Sequence, residues 1–183
     1  AHCRQVAHVG QKLAETYIQK GELIDINLLY TSCMLHDMTR VCDFKTLDRD
    51  KFSEEVTEAK WDKWLDLRQR FARRHHADIA YEVLAAQGFT ETAEVIRLHK
   101  STALIDEWEA FDTLEKKIVY YADKRVKHTE IVSITERFRD GRERYGDYDS
   151  PEEKKRFLEV ERQTLELEQL LFKPLDIESE DIR

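Results

Sequence analysis

Ile26-Asn27-Leu28-Leu29-Tyr30-Thr31-Ser32-Cys33-Met34-Leu35 runs almost uninterrupted by polar residues into His36-Asp37. Its apolar residues surround the helix axis, so a central, buried helix is expected, capped by Asp25 and ending at about His36. Two titratable groups at the end of such a helix cost several kcal/mol to bury unless something pairs with them. A divalent metal is one such partner, since neutral imidazole and ionised carboxylate both ligate first-row ions.

The composition around this stretch favours helices. The 183 residues are 41% hydrophobic and 37% charged, with only 5 Gly and 2 Pro. So few breakers point to an all-α fold of seven or eight helices in a single domain, with no strand. No stretch approaches the roughly 20 apolar residues of a membrane span. The first residues show no basic segment followed by an apolar one, so no secretory leader is expected. A formal net charge of −8 disfavours an extended nucleic-acid partner. Cys3, Cys33 and Cys42 form no CxxC pair and read as reduced thiols of a cytoplasmic protein.

Working outward, residues 1–20 place Val6, Val9, Leu13, Tyr17 and Ile18 on one helical face, with His2 on the same side and Gly21 ending the helix. Residues 43–66 are polar and acidic, with Trp61 and Trp64, and read as a loop plus a partly exposed helix starting near Ser53-Glu54-Glu55, an insertion or lid. Residues 70–87 carry the cleanest stripe of all, with Phe71, Ala72, His75, His76, Ile79, Ala80, Val83 and Leu84 predicting one helix ended by Gly88. Thr90 is expected to cap the next helix, which leads to His99. Asp112-Thr113-Leu114-Glu115 starts a helix that carries Asp123 inward, and a further helix is expected over 129–138. Residues 139–149 read as a polar connection. Ser150-Pro151-Glu152-Glu153 opens the last helix, to about Phe172, which packs on the core or forms a contact with a second copy. Residues 174–183 are expected to be a loose acidic tail.

Four histidines, His2, His36, His76 and His99, and two carboxylates, Asp37 and Asp123, therefore lie on or at the end of inward faces. A lone histidine there is more often a satisfied core residue. The set, spread over five helices and anchored by adjacent His36-Asp37, fits a metal centre built in a helical core.

His2-Cys3-Arg4-Gln5-Val6-Ala7, Leu35-His36-Asp37-Met38-Thr39-Arg40 and Tyr121-Ala122-Asp123-Lys124 together resemble the H…HD…D pattern of the HD-domain metal-dependent phosphohydrolases. His76-Ala77-Asp78-Ile79-Ala80-Tyr81-Glu82-Val83-Leu84 is similar to a stretch of the members that bind two metals, and His99 falls where those have another histidine. The resemblance covers residues 1–127, with the insertion at 43–66; helices over 128–173 and the tail lie outside it. Where the common HDIGK stands, this chain has His36-Asp37-Met38-Thr39-Arg40, so the glycine is lost and the point charge becomes a fork.

The resemblance implies a role for each residue. His2, His36, Asp37 and Asp123 would hold one metal; Asp37 would bridge to a second, completed by His76 and His99. His75 shares the stripe with His76 and competes for that place. Mixed nitrogen and oxygen ligation suits Fe, Mn, Ni, Co or Zn. Such ions turn water into a hydroxide nucleophile, and two of them about 3.5–4 Å apart stabilise attacking and leaving oxygens together. Asp37, Arg40 and Lys124 are expected in catalysis, and Arg40, Lys45 and Lys124 on the phosphate. The Arg73-Arg74 pair reads as surface charge. The implied partner is a small phosphorylated substrate, a nucleotide above all. The alternatives are a catalytically weak module that binds a nucleotide or partner, an all-α interaction domain whose histidines are core residues, and a di-iron oxygenase. No GYP motif follows, which argues against the cyclic-di-GMP branch.

Overall fold

Ala1 is followed at once by α1 (His2–Gln19), and Gly21, with φ of +91°, ends it as the spacing predicts. The computed structural model describes the whole chain except Ser53, Glu54, Ala72, Arg73, Asp147 and Asp149, together with the side chains of Lys51 and Tyr145. The predicted start at Ser53-Glu54, the stripe position Ala72 and the charge of Arg73 thus lie outside the described residues.

Asp25 caps α2 (Ile26–Leu35) by accepting the Leu28 amide at 2.9 Å. α2 packs on α1, and Gly10 lets the two approach closely. A Cβ at Gly10 would stand 3.1 Å from Cys33 Sγ and 3.2 Å from Leu29 Cδ2. Only one side of α2 is buried, however. Leu29, Ser32 and Cys33 face inward, while Asn27, Tyr30 and Thr31 are open to solvent. The expectation of a helix buried all round is corrected: that place belongs to α7 (Leu114–Lys124).

From Ile118 to Val126 every residue is buried. α7 touches α1, α2 and α5 (Thr90–Arg97) on one side and the long α9 (Pro151–Phe172) on another. It tolerates this although it ends in Asp-Lys-Arg, because each charge has a partner. Lys124 donates to Asp123 at 2.6 Å, and Arg125 donates to the Ser179 carbonyl at 3.0 Å. Burying its own Ile118, and Leu13, Leu29 and Leu167 of the same core, contributes about 1.5–3 kcal/mol each.

Three helix boundaries differ from the sequence expectation. α3 (Glu58–Arg70) begins at a Thr57 cap rather than near residue 53 and runs past 66, while α4 (His76–Ala85) begins only at His76. The stripe predicted over 70–87 is therefore two segments. His75 is extended (φ −65°, ψ 136°) and its ring takes the Ala77 amide, which starts a new helix there. Phe89, not Thr90, occupies the cap position of α5, without a side-chain bond. None of α3 is fully buried. It is held by Arg68 donating to the carbonyls of Val41 (2.6 Å) and Phe44 (2.8 Å), and by Trp64 against Phe52 at 4.8 Å.

After the short α6 (Ala103–Asp106) and α7, the helix predicted over 129–138 begins only at Ile134, and a hairpin takes the place of its first residues. β1 (Val126–Lys127) pairs antiparallel with β2 (Glu130–Ile131), and His128 at its tip has φ of +56°. α8 (Ile134–Tyr145) follows, capped by Ser133, so most of the expected polar connection is helical. Ser150 caps α9 through the Glu153 amide, with Pro151 at its first position. The tail is not loose: Ile182 is 3% exposed and a 3₁₀ turn at Ser179–Asp181 meets Arg125. The fold is all-α but for this hairpin, and among the described residues no helix is long and apolar enough to cross a membrane.

Candidate metal centre

The six predicted ligands converge. His2 comes from the first turn of α1, His36 from the end of α2, His76 from the start of α4, His99 from just past α5, and Asp123 from the last turn of α7. His2 and His36 bring Nε2 to 3.2 and 3.4 Å from Asp123 Oδ1, and to 3.9 and 3.7 Å from Asp37 Oδ2. The other oxygen of Asp37 faces His76 Nε2 at 3.1 Å and His99 Nε2 at 3.8 Å. Asp37 thus stands between two clusters, His2–His36–Asp123 and His76–His99. His2, His36 and Asp37 bring ligand atoms close enough together for one ion, and Asp37, His76 and His99 do so for another.

What fixes the rings is the far nitrogen of each. His2 Nδ1 donates to the His128 carbonyl at 3.0 Å, His36 Nδ1 to the Cys33 carbonyl at 2.7 Å, and His99 Nδ1 to the Ile96 carbonyl at 2.6 Å. His76 Nδ1 donates to the Asp43 carboxylate. Carbonyls and carboxylates only accept, so each Nδ1 donates to its outer partner. Every Nε2 is then turned on the acidic pair, His2 Nε2 within hydrogen-bond reach of Asp123 at 3.2 Å. This is the arrangement that outer partners impose on metal-binding histidines.

Two observations show that the site fits a cation. His36 Nε2 is buried and has no hydrogen-bond partner among the described residues. His76 Nε2 and His99 Nε2 lie 2.7 Å apart, two lone pairs with no proton between them in the neutral rings. A second proton on His76, donated to Asp37, would relieve one ring. A divalent ion relieves both and takes the orphaned His36 nitrogen as well.

The charges are tuned to match. Burial pushes Asp37 up, but the bond from His76 and the nearby His36 outweigh it and hold the carboxyl well below the usual range. Burial likewise opposes Asp123, which Lys124, His2 and His36 pull well below that range. Burial, then His36, drives His99 far down, so it is a neutral base. For His36 burial acts downward, and Asp123 and Asp37 overcome it to raise the group.

His75 does not join the cluster around Asp37. It stacks on His76 at 4.4 Å between ring centroids, and burial with its neighbour lowers it to about 4. Arg40 lines the cleft over the centre but donates to Asp43 at 3.0 Å. Lys124 lines it too, with Nζ on Asp123 and on the His99 carbonyl at 3.0 Å. Lys45 is exposed and not on the cleft, nor is any described residue from 45 to 70, so α3 lies beside the site rather than over it.

Sequence reasoning missed Asp43, which takes both the ring and the backbone amide of His76, the latter at 3.0 Å. It had been read as the first residue of a polar loop; the available signal was its place six residues after Asp37 and three after Arg40. It missed His128 as well, whose carbonyl follows from a left-handed turn that no pattern announced. The cleft also extends past these helices to α8 and α9, with a volume of about 580 Å³, within the size range of small-ligand sites.

The HD domain family model matches residues 1–126. Comparison with curated proteins and with solved structures gave no match.

Proposed function

The chain belongs to the HD-domain family, whose members are generally metal-dependent phosphohydrolases, and from that premise we propose that it hydrolyses a phosphate ester of a small metabolite, foremost a nucleotide. One observation carries the reading: two pairs of histidine Nε2 atoms turned on a shared Asp37, with His36 Nε2 buried and unpartnered. His2, His36, Asp37 and Asp123 would hold one ion, and Asp37, His76 and His99 a second, drawn from Fe, Mn, Ni, Co or Zn. Bound there, such ions supply Lewis acidity to a phosphoryl oxygen and to an attacking water.

The protein's own part is orientation and charge. Asp37 and Asp123 stay ionised, held so by His76, His36 and Lys124. His99 stays neutral and keeps its lone pair on the site. Lys124 and Arg40, at the cleft wall, balance the negative charge that a phosphoryl group brings, although each already has one carboxylate partner. The three free cysteines support a place in the cytoplasm. The test is elemental analysis of the purified chain together with turnover of a nucleotide and phosphoester panel under Mn or Ni. Stoichiometric metal with turnover of a phosphoester is expected. Metal without turnover of any of them favours the binding module, and no metal at all removes the reading.

A further inference from the structure

The family match stops at residue 126, but the cleft does not. Its far wall is α8 and α9, where Arg137, Phe138, Gly141 and Arg144 present the i, i+1, i+4, i+7 face of α8, and Phe157 comes from α9. At 1.5 Å per residue that face is roughly 10 Å long, more than one phosphate occupies. Helix α8 could have carried an apolar stripe there; it carries guanidinium, ring, bare backbone and guanidinium instead. The glycine is not demanded by packing, since a Cβ at Gly141 would meet Phe157 Cζ at an ordinary 3.4 Å.

The cations of the cleft divide sharply. Arg40 donates to Asp43 at 3.0 Å, Lys100 to Asp78 at 2.9 Å and Lys124 to Asp123 at 2.6 Å, and Arg144 donates to Asp140. Off the cleft, Arg142 is paired with Glu161 and Lys127 with Glu136. Arg137 differs. Its Nε is buried with no hydrogen-bond partner among the described residues, and its ion pair with Asp140 is 3.7 Å, beyond a hydrogen bond. A buried guanidinium donor left open destabilises the fold by about 1–3 kcal/mol, so it is a group awaiting an acceptor. A planar fork of this kind matches the oxygens of a phosphoryl group.

Building on the phosphohydrolase reading, we infer that Arg137 binds a phosphoryl group of the substrate other than the one cleaved, with Phe157 and the bare Gly141 step seating the nucleoside. The preferred substrate class is then a nucleotide with two or more phosphates rather than a monophosphate. Arg137 is a specificity-determining residue outside the family core.

Calorimetry on the full chain, metal-free and Mn-loaded, tests this with adenosine 5′-diphosphate, adenosine 5′-monophosphate and inorganic phosphate as probes. Arg137→Met keeps the stem and removes the fork, and its melting curve checks that it folds; Arg137→Lys keeps a point charge and should restore part of the binding. The diphosphate should bind wild type more tightly than the monophosphate does. Arg137→Met should weaken diphosphate binding about 10- to 100-fold, as for loss of a charged hydrogen-bond pair, and leave the monophosphate unchanged. Equal losses for both nucleotides, no loss for either, or no nucleotide binding to wild type overturns the inference. Turnover of p-nitrophenyl phosphate without nucleotide binding would sink this inference alone. Arg137-dependent diphosphate binding to a chain that takes no metal would sink the phosphohydrolase reading alone.

Discussion

The two halves of the centre are built by different means. His2 and His36 are fixed by backbone carbonyls, from His128 and Cys33, and stand on α1 and α2, whose packing is part of the main core. His76 is fixed by one side chain, Asp43, from the turn at Arg40–Asp43, and stands at the first residue of α4, whose own apolar cluster is small. Thr39 adds a bond to the His76 carbonyl at 2.7 Å. Hydrophobic burial thus holds one half, and a polar network holds the other. The placement of His2 and His36 rests on the fold itself; that of His76 can be loosened by a single carboxylate.

The change with the largest expected effect erases the distinction. Asp37→Ala removes the oxygens that face both halves, and elemental analysis should then find no stoichiometric metal. Retention of one ion per chain would mean that the halves do not depend on a shared carboxylate. Next, Leu29→Ala in the core beneath the first half should cost about 2–5 kcal/mol in a denaturant titration. A smaller loss would show that this half is not core-built.

Asp43→Asn should leave the fold and the His2–His36 half in place while weakening metal at the His76–His99 half about 10- to 100-fold. Competition titration with a chelator reads this as one site weakening beside one unchanged. Proton competition separates the halves further. Asp123 and Asp37 raise His36, so a metal at its Nε2 competes with a proton more strongly than at His99, which burial and His36 depress. Affinity at the first half should therefore rise by about tenfold per pH unit up to the pKa of His36 and then level off, with no such slope from His99. The metal-free fold runs the other way: His36 contributes stability below its unfolded value, and this is lost as pH rises through its higher folded one. Smallest of all, Lys45→Ala should change stability by no more than about 0.5 kcal/mol and leave turnover unaltered, since its side chain is exposed away from the cleft.

What was legible in the sequence follows the same division. The candidate ligands on continuous helices were legible because apolar periodicity fixes which way His2, His36 and Asp123 point. Asp43 and the break at His75 did not, because they depend on a turn whose polar residues look like any loop. The stripe from Phe71 to Leu84 continued in register across a real interruption, so its periodicity alone could not reveal the cap at His75. α7 was readable as inward on one face, but its burial all round was hidden. Asp123, Lys124 and Arg125 look solvent-seeking until their partners, some of them more than fifty residues away, are known. The α8 wall was missed for a like reason, since a face of arginines is indistinguishable by composition from a solvated one.

The close approach at Gly10 has a reach beyond its own neighbours. Eight residues separate it from His2, roughly 12 Å along the helix, and the ring centroids of His2 and His36 sit 5.3 Å apart at the end of the same helix pair. The absent methyl therefore acts as a gauge for the gap between two of the ligands. With a methyl there, Cys33 Sγ and Leu29 Cδ2 must give by a few tenths of an ångström, and any part of that shift taken up by the backbone widens the helix pair. A Gly10→Ala chain should then shift its preference toward ions of larger radius, so that ionic selectivity is set in part by an atom that is missing from the core.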